Sequence, residues 1–312
     1  MGIAYKSEIT NPNSEIKLMN LQTQEQYQFI ESILFENLGY QPEVLDFQFF
    51  YGGNFNLAVK VKVAQGDYFI KWNQGDHEGM FESEAQSLQL LRDTGVVSIP
   101  QVINHGRIID KEYLMIEFLT ASFKQPNYWQ NFGQRLAYLH KHTNPQYGLH
   151  FNNYIGALRQ SNEWMDDGVQ FFIEKRLKVQ AGLALYDRKI SEEVYEKFNL
   201  LYEKLPSLIP NEKPALLHGD LWSGNIMTDN QGLVGLVDPA CYYGLREAEL
   251  AFTTMFGGFD TSFYEAYHEI YPIENGFGDR IPLYNLYPLM VHVNLFGGGY
   301  LDAVEKVLKK FI

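Results

Sequence analysis

Residues 218–240 read HGDLWSGNIMTDNQGLVGLVDPA. Ile226-Met227 and Leu233–Val237 are two short apolar runs with Gly232 between them, the pattern of a tight hairpin. Its open end brings Asn225, just before the first run, beside Asp238, just after the second. An amide oxygen next to a carboxylate is a pair of hard donors that suits Mg2+. Asp220 lies upstream on the same loop, free to face a substrate hydroxyl. A strand-joining turn rich in Gly, Asp and Asn carries part of this pattern. The full octet His218–Asn225, with the apolar strand and Asp238 behind it, goes beyond a turn.

Phosphoryl transfer needs this arrangement: one carboxylate orients and deprotonates an alcohol while a metal bridges the phosphates. The spacing His-x-Asp-x4-Asn followed by an aspartate resembles the catalytic and metal loops of the protein-kinase-like superfamily. Such a site also needs a strand lysine paired with an acid on the next helix. Lys71 sits in the strand-like run YFIKW, and Glu82 and Glu84 open the helix-like run that follows. Glu84 is the expected partner, since Glu82 is two residues away and points elsewhere on a helix. Gly52-Gly53-Asn54 would be the phosphate-covering turn, its glycines permitting close backbone approach; a plain hairpin turn has the same composition. Glu117, in LMIEFL, is expected either to offer backbone groups to an adenine edge or to be an ordinary edge-strand glutamate.

The period of the apolar residues divides the chain. Residues 1–20 have no clear period and read as a loosely ordered lead-in. Helical spacing runs from Thr23 to Leu38, with Thr23 as N-cap, Gln26 at the capping-box position and Gly39 as the stop. Between Val44 and Trp72 the spacing alternates, giving three antiparallel strands. A helix follows over residues 80–92, then a hairpin over Ile108–Leu119 turning at Asp110-Lys111. Beyond Ala121 the pattern is mostly helical, at 127–142, 167–184, 191–205 and 246–312, with FGG at 256–258 and FGGG at 296–299. The expectation is an α+β chain of two lobes: a small antiparallel-sheet lobe over 21–119 and a larger helical lobe over 120–312.

Composition limits the partners. The chain has 312 residues, 46% of them apolar, enough for one large domain or two packed lobes. A net charge of −13 disfavours nucleic acid and anionic membranes. The one cysteine, Cys241, excludes an internal disulfide framework and a multi-thiolate zinc site. No apolar run approaches ~20 residues, and the polar start MGIAYKSEITNPNSEIK lacks a signal core, so a cytoplasmic protein is expected.

HGDLWSGN, DPACYYGLREAELAFTTMFGGF, YPLMVHVNLFGGGYL and GALRQSNEWMDDGVQFFIEKRLKVQ together resemble the fructosamine kinase (ketosamine-3-kinase) family over about residues 25–310. The resemblance implies a bilobal protein-kinase-like fold related to aminoglycoside phosphotransferases. It implies ATP and Mg2+, and transfer of the γ-phosphoryl group to the 3-hydroxyl of a ketosamine, whose phosphorylated adduct then falls off the amine. On that basis Asp220 is the base, Asn225 and Asp238 hold the metal, and Lys71 and Glu84 set the phosphates. Trp222 would stack on the sugar, or else anchor the loop to the core. Asn162, Trp164, Arg176 and Gln180 either line the sugar site or pack the lobe. His218 is expected to brace the loop, and Glu249 to tie a helix to its backbone. Two positions depart from the family: Leu245 replaces a polar residue, and Gly168 stands where an aromatic is usual, which would loosen the acceptor side. The GGNFN turn lacks the cysteine some relatives carry, so no thiol regulation is expected there. The expected partners are small-molecule ketosamines or glycated protein lysines, with the chain a monomer or weak dimer. The competing readings are an aminoglycoside-like small-alcohol kinase, a silent nucleotide-binding scaffold, and a metal-dependent hydrolase built on His218. Trp222 and the 159–180 block argue against the first, the intact set Lys71, Asp220, Asn225 and Asp238 against the second, and the lack of a second metal histidine against the third.

Overall fold

A computed structural model describes residues 12–50, 56–73 and 77–312. Helix α1 spans Pro12–Leu38 and therefore starts well before Thr23, which is an interior residue and not a cap. The proline explains the earlier start: its fixed φ suits the first helical position, where a backbone N–H has no partner to lose. Residues from Pro12 on, expected as loosely ordered lead-in, are helical. The predicted stop holds. Gly39 adopts φ +77° and its N–H donates to Phe35 O at 2.9 Å.

Five antiparallel strands follow around one further helix: β1 (Val44–Phe50), β2 (Leu57–Val63), β3 (Gly66–Asn73), helix α2 (Met80–Asp93), β4 (Val102–Ile108) and β5 (Lys111–Glu117). Their order in the sheet is β1-β2-β3-β5-β4. The last hairpin turns at Ile109-Asp110, and its first strand lies upstream of the predicted stretch. VINHGRI carries too few apolar residues to announce a strand. The sheet buries Val59, Val61, Ile70, Trp72 and Met115 against Phe29, Ile30, Ile33 and Leu34 of α1. Each such side chain contributes roughly 1.5–3 kcal/mol by leaving water. Strand alternation then turns Lys71, between Ile70 and Trp72, to the opposite face, toward α2.

The larger lobe opens with α3 (Tyr128–His140), the short hairpin β6 (Asn153–Ile155) and β7 (Leu158–Gln160), and α4 (Gly168–Phe172). One π-helical turn, Ile173–Leu177, joins α4 to α5 (Lys178–Tyr186), so the helix predicted over 167–184 is interrupted. α6 (Glu192–Leu208) is capped by Ser191, whose hydroxyl accepts the Val194 N–H at 3.3 Å. Then come β8 (Ala215–Leu217), β9 (Ile226–Thr228), β10 (Val234–Leu236), β11 (Tyr242–Gly244), α7 (Arg246–Phe252), α8 (Thr261–Ile270), α9 (Phe277–Phe296) and α10 (Leu301–Phe311). β8 pairs with β11 and β9 with β10, so the segments on either side of the loop at 218–225 return beside it. None of the described helices is long and apolar enough to cross a membrane.

Candidate active site

β8 delivers the chain into His218-Gly219-Asp220, which is clamped from three sides. Gly219 has φ +83°, and a Cβ there would lie 2.0 Å from Ala240 O, so only glycine fits. The His218 ring is buried; its Nε2 donates to Val237 O at 3.0 Å, while Nδ1 accepts the Asp220 N–H at 3.3 Å. Burial holds its pKa below the usual value, against the neighbouring carboxylates. It is the neutral strut expected from the sequence. Glu249, on α7, accepts the Gly219 N–H at 2.7 Å through Oε1, the tie expected of it.

The other oxygen of Glu249 meets His140 Nε2 at 2.9 Å, and His140 Nδ1 meets the Tyr267 hydroxyl at 2.8 Å. Burial pushes the Glu249 carboxyl upward, but the hydrogen bond and charge of His140 win and hold it below its ordinary value. His140 and Tyr267 escaped the sequence reading. The available signal was a histidine one helical turn beyond Leu136, on a buried face at the end of α3.

Val237 N–H donates to Asn225 O at 3.1 Å and closes the open end of the β9–β10 hairpin, as the spacing predicts. The side chains there partner differently. Asn225 Nδ2 donates to Asp220 at both the carbonyl (2.8 Å) and Oδ2 (2.9 Å), while Asp238 Oδ1 accepts from Lys71 Nζ at 2.5 Å. Asp238 adopts φ +56°, an uncommon backbone state for a residue other than glycine, which fixes where its carboxylate projects. Burial, with Asp238 and Glu249 adding repulsion, raises the Asp220 carboxyl to about 7, although the Asn225 amide opposes the rise.

Lys71 Nζ also donates to Glu84 Oε1 at 2.7 Å and so bridges α2 and the β10 end. Burial would lower its pKa, but the two carboxylates outweigh it and the ammonium is held charged. Glu82 is exposed, as the helical argument required. Asp238 further lines a cavity of about 190 Å³ with Phe50, Phe69, Phe118, Leu119 and Met227. Glu117 reaches this cavity, but its N–H donates to Gln101 O at 2.8 Å and its carboxylate accepts the Gln101 N–H at 3.2 Å. Its N–H and its carboxylate are thus both tied to the Gln101 backbone. Gly52, Gly53 and Asn54 lie outside the described residues.

The 156–180 block corrects two expected substrate residues. Arg176 is fully buried, with its guanidinium 4.0 Å from the Tyr242 ring centroid; it donates to Ser161 O and, at 2.7 Å, to Asn162 Oδ1. Asn162 is likewise buried and donates to Asn153 Oδ1 and Phe151 O. Asn153 and Gln160 in turn donate to Cys241 O and Ala240 O. Arg176 and Asn162 brace the segment behind the loop at 218–225, while Asn153 and Gln160 also line an open pocket of about 550 Å³ with Glu78, Gly79, Arg159 and Ser161. Gln180 is buried and bonded to Asn294. Trp164 is 38% exposed, its ring 6.4 Å from that of Tyr243. Gly168 loosens nothing, because the Tyr147 ring occupies the place where its Cβ would stand, 2.4 Å away. Leu245 is buried just before α7. Trp222 is half-buried over Gly224, and its ring meets Phe256 edge-on at 5.5 Å.

A small antiparallel sheet carrying a charged lysine, with a helical lobe whose loop carries an aspartate, is the architecture of a kinase. A sequence model of the fructosamine kinase family matches residues 26–312, and the chain belongs to that family. It is 36% identical over 262 residues to a probable ketoamine kinase of Enterococcus faecium, covering 83% of this chain and 93% of that protein. It is 35% identical over 266 residues to the chloroplastic protein-ribulosamine 3-kinase of Arabidopsis thaliana, covering 84% and 81%. The crystal structure of a candidate fructosamine-3-kinase from Haemophilus somnus superimposes with a TM-score of 0.82 at 28% identity, covering 91% of this chain and 96% of that one.

Proposed function

We propose that this chain is a cytoplasmic kinase that uses ATP and Mg2+ to phosphorylate the 3-hydroxyl of ketosamines, small or attached to protein lysines. Residues 21–119 would form the nucleotide lobe and 120–312 the catalytic and acceptor lobe. The carrying observation is Lys71 Nζ held at once by Glu84 (2.7 Å) and Asp238 (2.5 Å), with Asp220 and Asn225 joined beside it.

Asp220 takes the proton of the acceptor hydroxyl, and a carboxyl raised to about 7 is matched to that task near neutral pH. Lys71 faces the phosphates, with Glu84 fixing its direction. Asn225 has turned its amide nitrogen to Asp220, which leaves Oδ1; Asp238, about half exposed, has placed Oδ1 on Lys71, which leaves Oδ2. Hard oxygens of this kind fit Mg2+, and these two residues would hold it. Held there, the ion would supply charge neutralisation for the transferred phosphoryl group. Trp222 would cover the C–H face of the sugar and exclude water.

An ATP-consumption assay with several ketosamines and an aminoglycoside control tests this reading. The expected result is ketosamine-dependent turnover that drops about 10²–10⁴-fold in Asp220→Asn. Turnover of the aminoglycoside instead, or an Asp220→Asn variant as active as wild type, would reject it.

A further inference from the structure

Resting on the assignment of Asp238 to the metal, we propose that Arg176 is a positioning residue: it sets the direction of a chain of buried amides and, through that chain, the backbone behind the Asp238 carboxylate. Arg176 is fully buried and lies in the π-helical turn Ile173–Leu177, an insertion frequent at functional sites. Its N–H groups meet neutral oxygens: Ser161 O at 2.8 Å, Lys175 O at 3.0 Å and Asn162 Oδ1 at 2.7 Å. The guanidinium stacks on the Tyr242 ring at 4.0 Å. A buried cation without a counter-charge is costly, and an apolar side chain would fill the same space at less cost. The charge therefore calls for a role beyond packing.

A guanidinium donates and never accepts. Asn162 must therefore turn Oδ1 to Arg176, which points its Nδ2 the other way. Nδ2 donates to Asn153 Oδ1 at 3.0 Å, and Asn153 Nδ2 donates to Cys241 O at 2.8 Å. Gln160 Nε2 keeps the same sense, donating to Asn153 Oδ1 at 2.8 Å and to Ala240 O at 3.2 Å, while its own oxygen accepts the Tyr287 hydroxyl. Were Asn153 reversed, two donors would face its NH2 group and Cys241 O would face its oxygen. Asn153, Gln160 and Asn162 are all buried, so water cannot readily replace those lost bonds. One donor-only end thus settles the order of the whole chain.

The chain ends on the carbonyls of Ala240 and Cys241, two and three residues past Asp238. Ala240 passes the constraint on: its N–H donates to His218 O at 2.9 Å, and its carbonyl is the one against which Gly219 fits. Asp238 holds φ +56°, a state that persists only where the surroundings over-determine it. Lys71 grips its carboxylate at 2.5 Å from one side. The amides grip the backbone that follows from the other. Once the amides are free to flip, the second grip is lost and the carboxylate no longer has one fixed direction. Partners of this kind, one shell behind a ligating carboxylate, govern metal affinity.

The test uses Arg176→Met and Asn162→Asp in the full chain. Asn162→Asp still accepts from Arg176, and gives it a counter-charge, but has nothing to donate to Asn153. Mn2+ replaces Mg2+ as the probe and is titrated in the presence of a nonhydrolysable ATP analogue, with free Mn2+ read by electron paramagnetic resonance. The Mn2+ Kd should rise about tenfold or more in each variant. Binding of the analogue without metal should stay within about twofold, and kcat should fall with little change in KM for the acceptor. Melting curves establish that each variant is folded. Should Arg176→Met not fold, Asn162→Asp decides alone. A folded Asn162→Asp with wild-type Mn2+ affinity overturns the proposal. So does an unfolded one, because the chain would then hold the lobe together and not Asp238 in particular. Wild type that binds Mn2+ but phosphorylates no ketosamine rejects the proposed function and leaves this inference standing; wild type that binds no Mn2+ overturns both.

Discussion

As the proposed base, Asp220 carries opposing demands. A base must lose its proton near neutral pH, yet burial makes the ionised form costly, and its carboxyl is raised to about 7 from an ordinary value near 3.9. The folded state therefore keeps a proton that the unfolded chain has already released. Stability from this group is complete below pH ~4 and is lost as pH rises through about 7. Asp220→Asn removes the penalty. In magnesium-free buffer the variant should melt a few degrees above wild type at pH 8, with the gap closing at pH 4; melting curves at both values check this, and equal melting at pH 8 would show that the charge is not buried at a cost. Residues of this kind were legible because their chemistry needs a fixed spacing. The structure brings together Lys71, Glu84, Asp220, Asn225 and Asp238, which the spacing singled out, with Asn225 paired to Asp220 and Asp238 to Lys71. Asn162 and Arg176 were misread because a buried polar network and a sugar site draw on the same residue types. His140 was missed because its position one helical turn beyond Leu136 marks a buried face without naming the partner it meets there.

Elements were legible where periodicity was strong. The strands from Val44 to Asn73 and the β9–β10 hairpin announced themselves by alternation and turn residues. The π-helical turn at Ile173–Leu177 and the start of α1 did not, since the first lies inside one helical run and the second lies where the apolar residues have no clear period. What the sequence could not convey is how tightly elements approach. Gly219 separates the β8 exit from Ala240 by less than a methyl group allows. Gly219→Ala meets two obstacles, a left-handed backbone and a backbone oxygen that cannot yield. It should displace Asp220 and lower kcat about 10²-fold or more, with ATP affinity much less affected. Gly278, early in α9, has open space where its Cβ would be, and Gly278→Ala should be neutral or stabilising by about 0.5–1 kcal/mol. Steady-state kinetics, nucleotide titration and melting curves on both variants decide this; a Gly219→Ala enzyme of normal kcat would dissociate loop geometry from catalysis.

At the scale of the molecule, two substrates of opposite charge must reach one site on an acidic protein. On the proposed reading ATP is repelled by the overall charge and would be received by Lys71, a cation fixed between two carboxylates. A ketosamine is a cation and is attracted at long range. Lobe arrangement was legible from the switch between alternating and helical spacing, but the field was legible only as a sum, −13, with no indication of where it acts. Screening separates the two substrates. The Debye length falls from about 14 Å to about 4 Å between ~50 mM and ~0.5 M salt, which removes long-range steering but leaves contacts at hydrogen-bond distance. Over that range kcat/KM for a lysine-derived ketosamine should fall severalfold, while kcat/KM for ATP at fixed free Mg2+ should stay level or rise as repulsion is relieved. Initial rates at saturating co-substrate measure each dependence separately. Equal declines for both would mean that salt acts on the local contacts at Lys71, and the acidic surface would then have no part in selecting the acceptor.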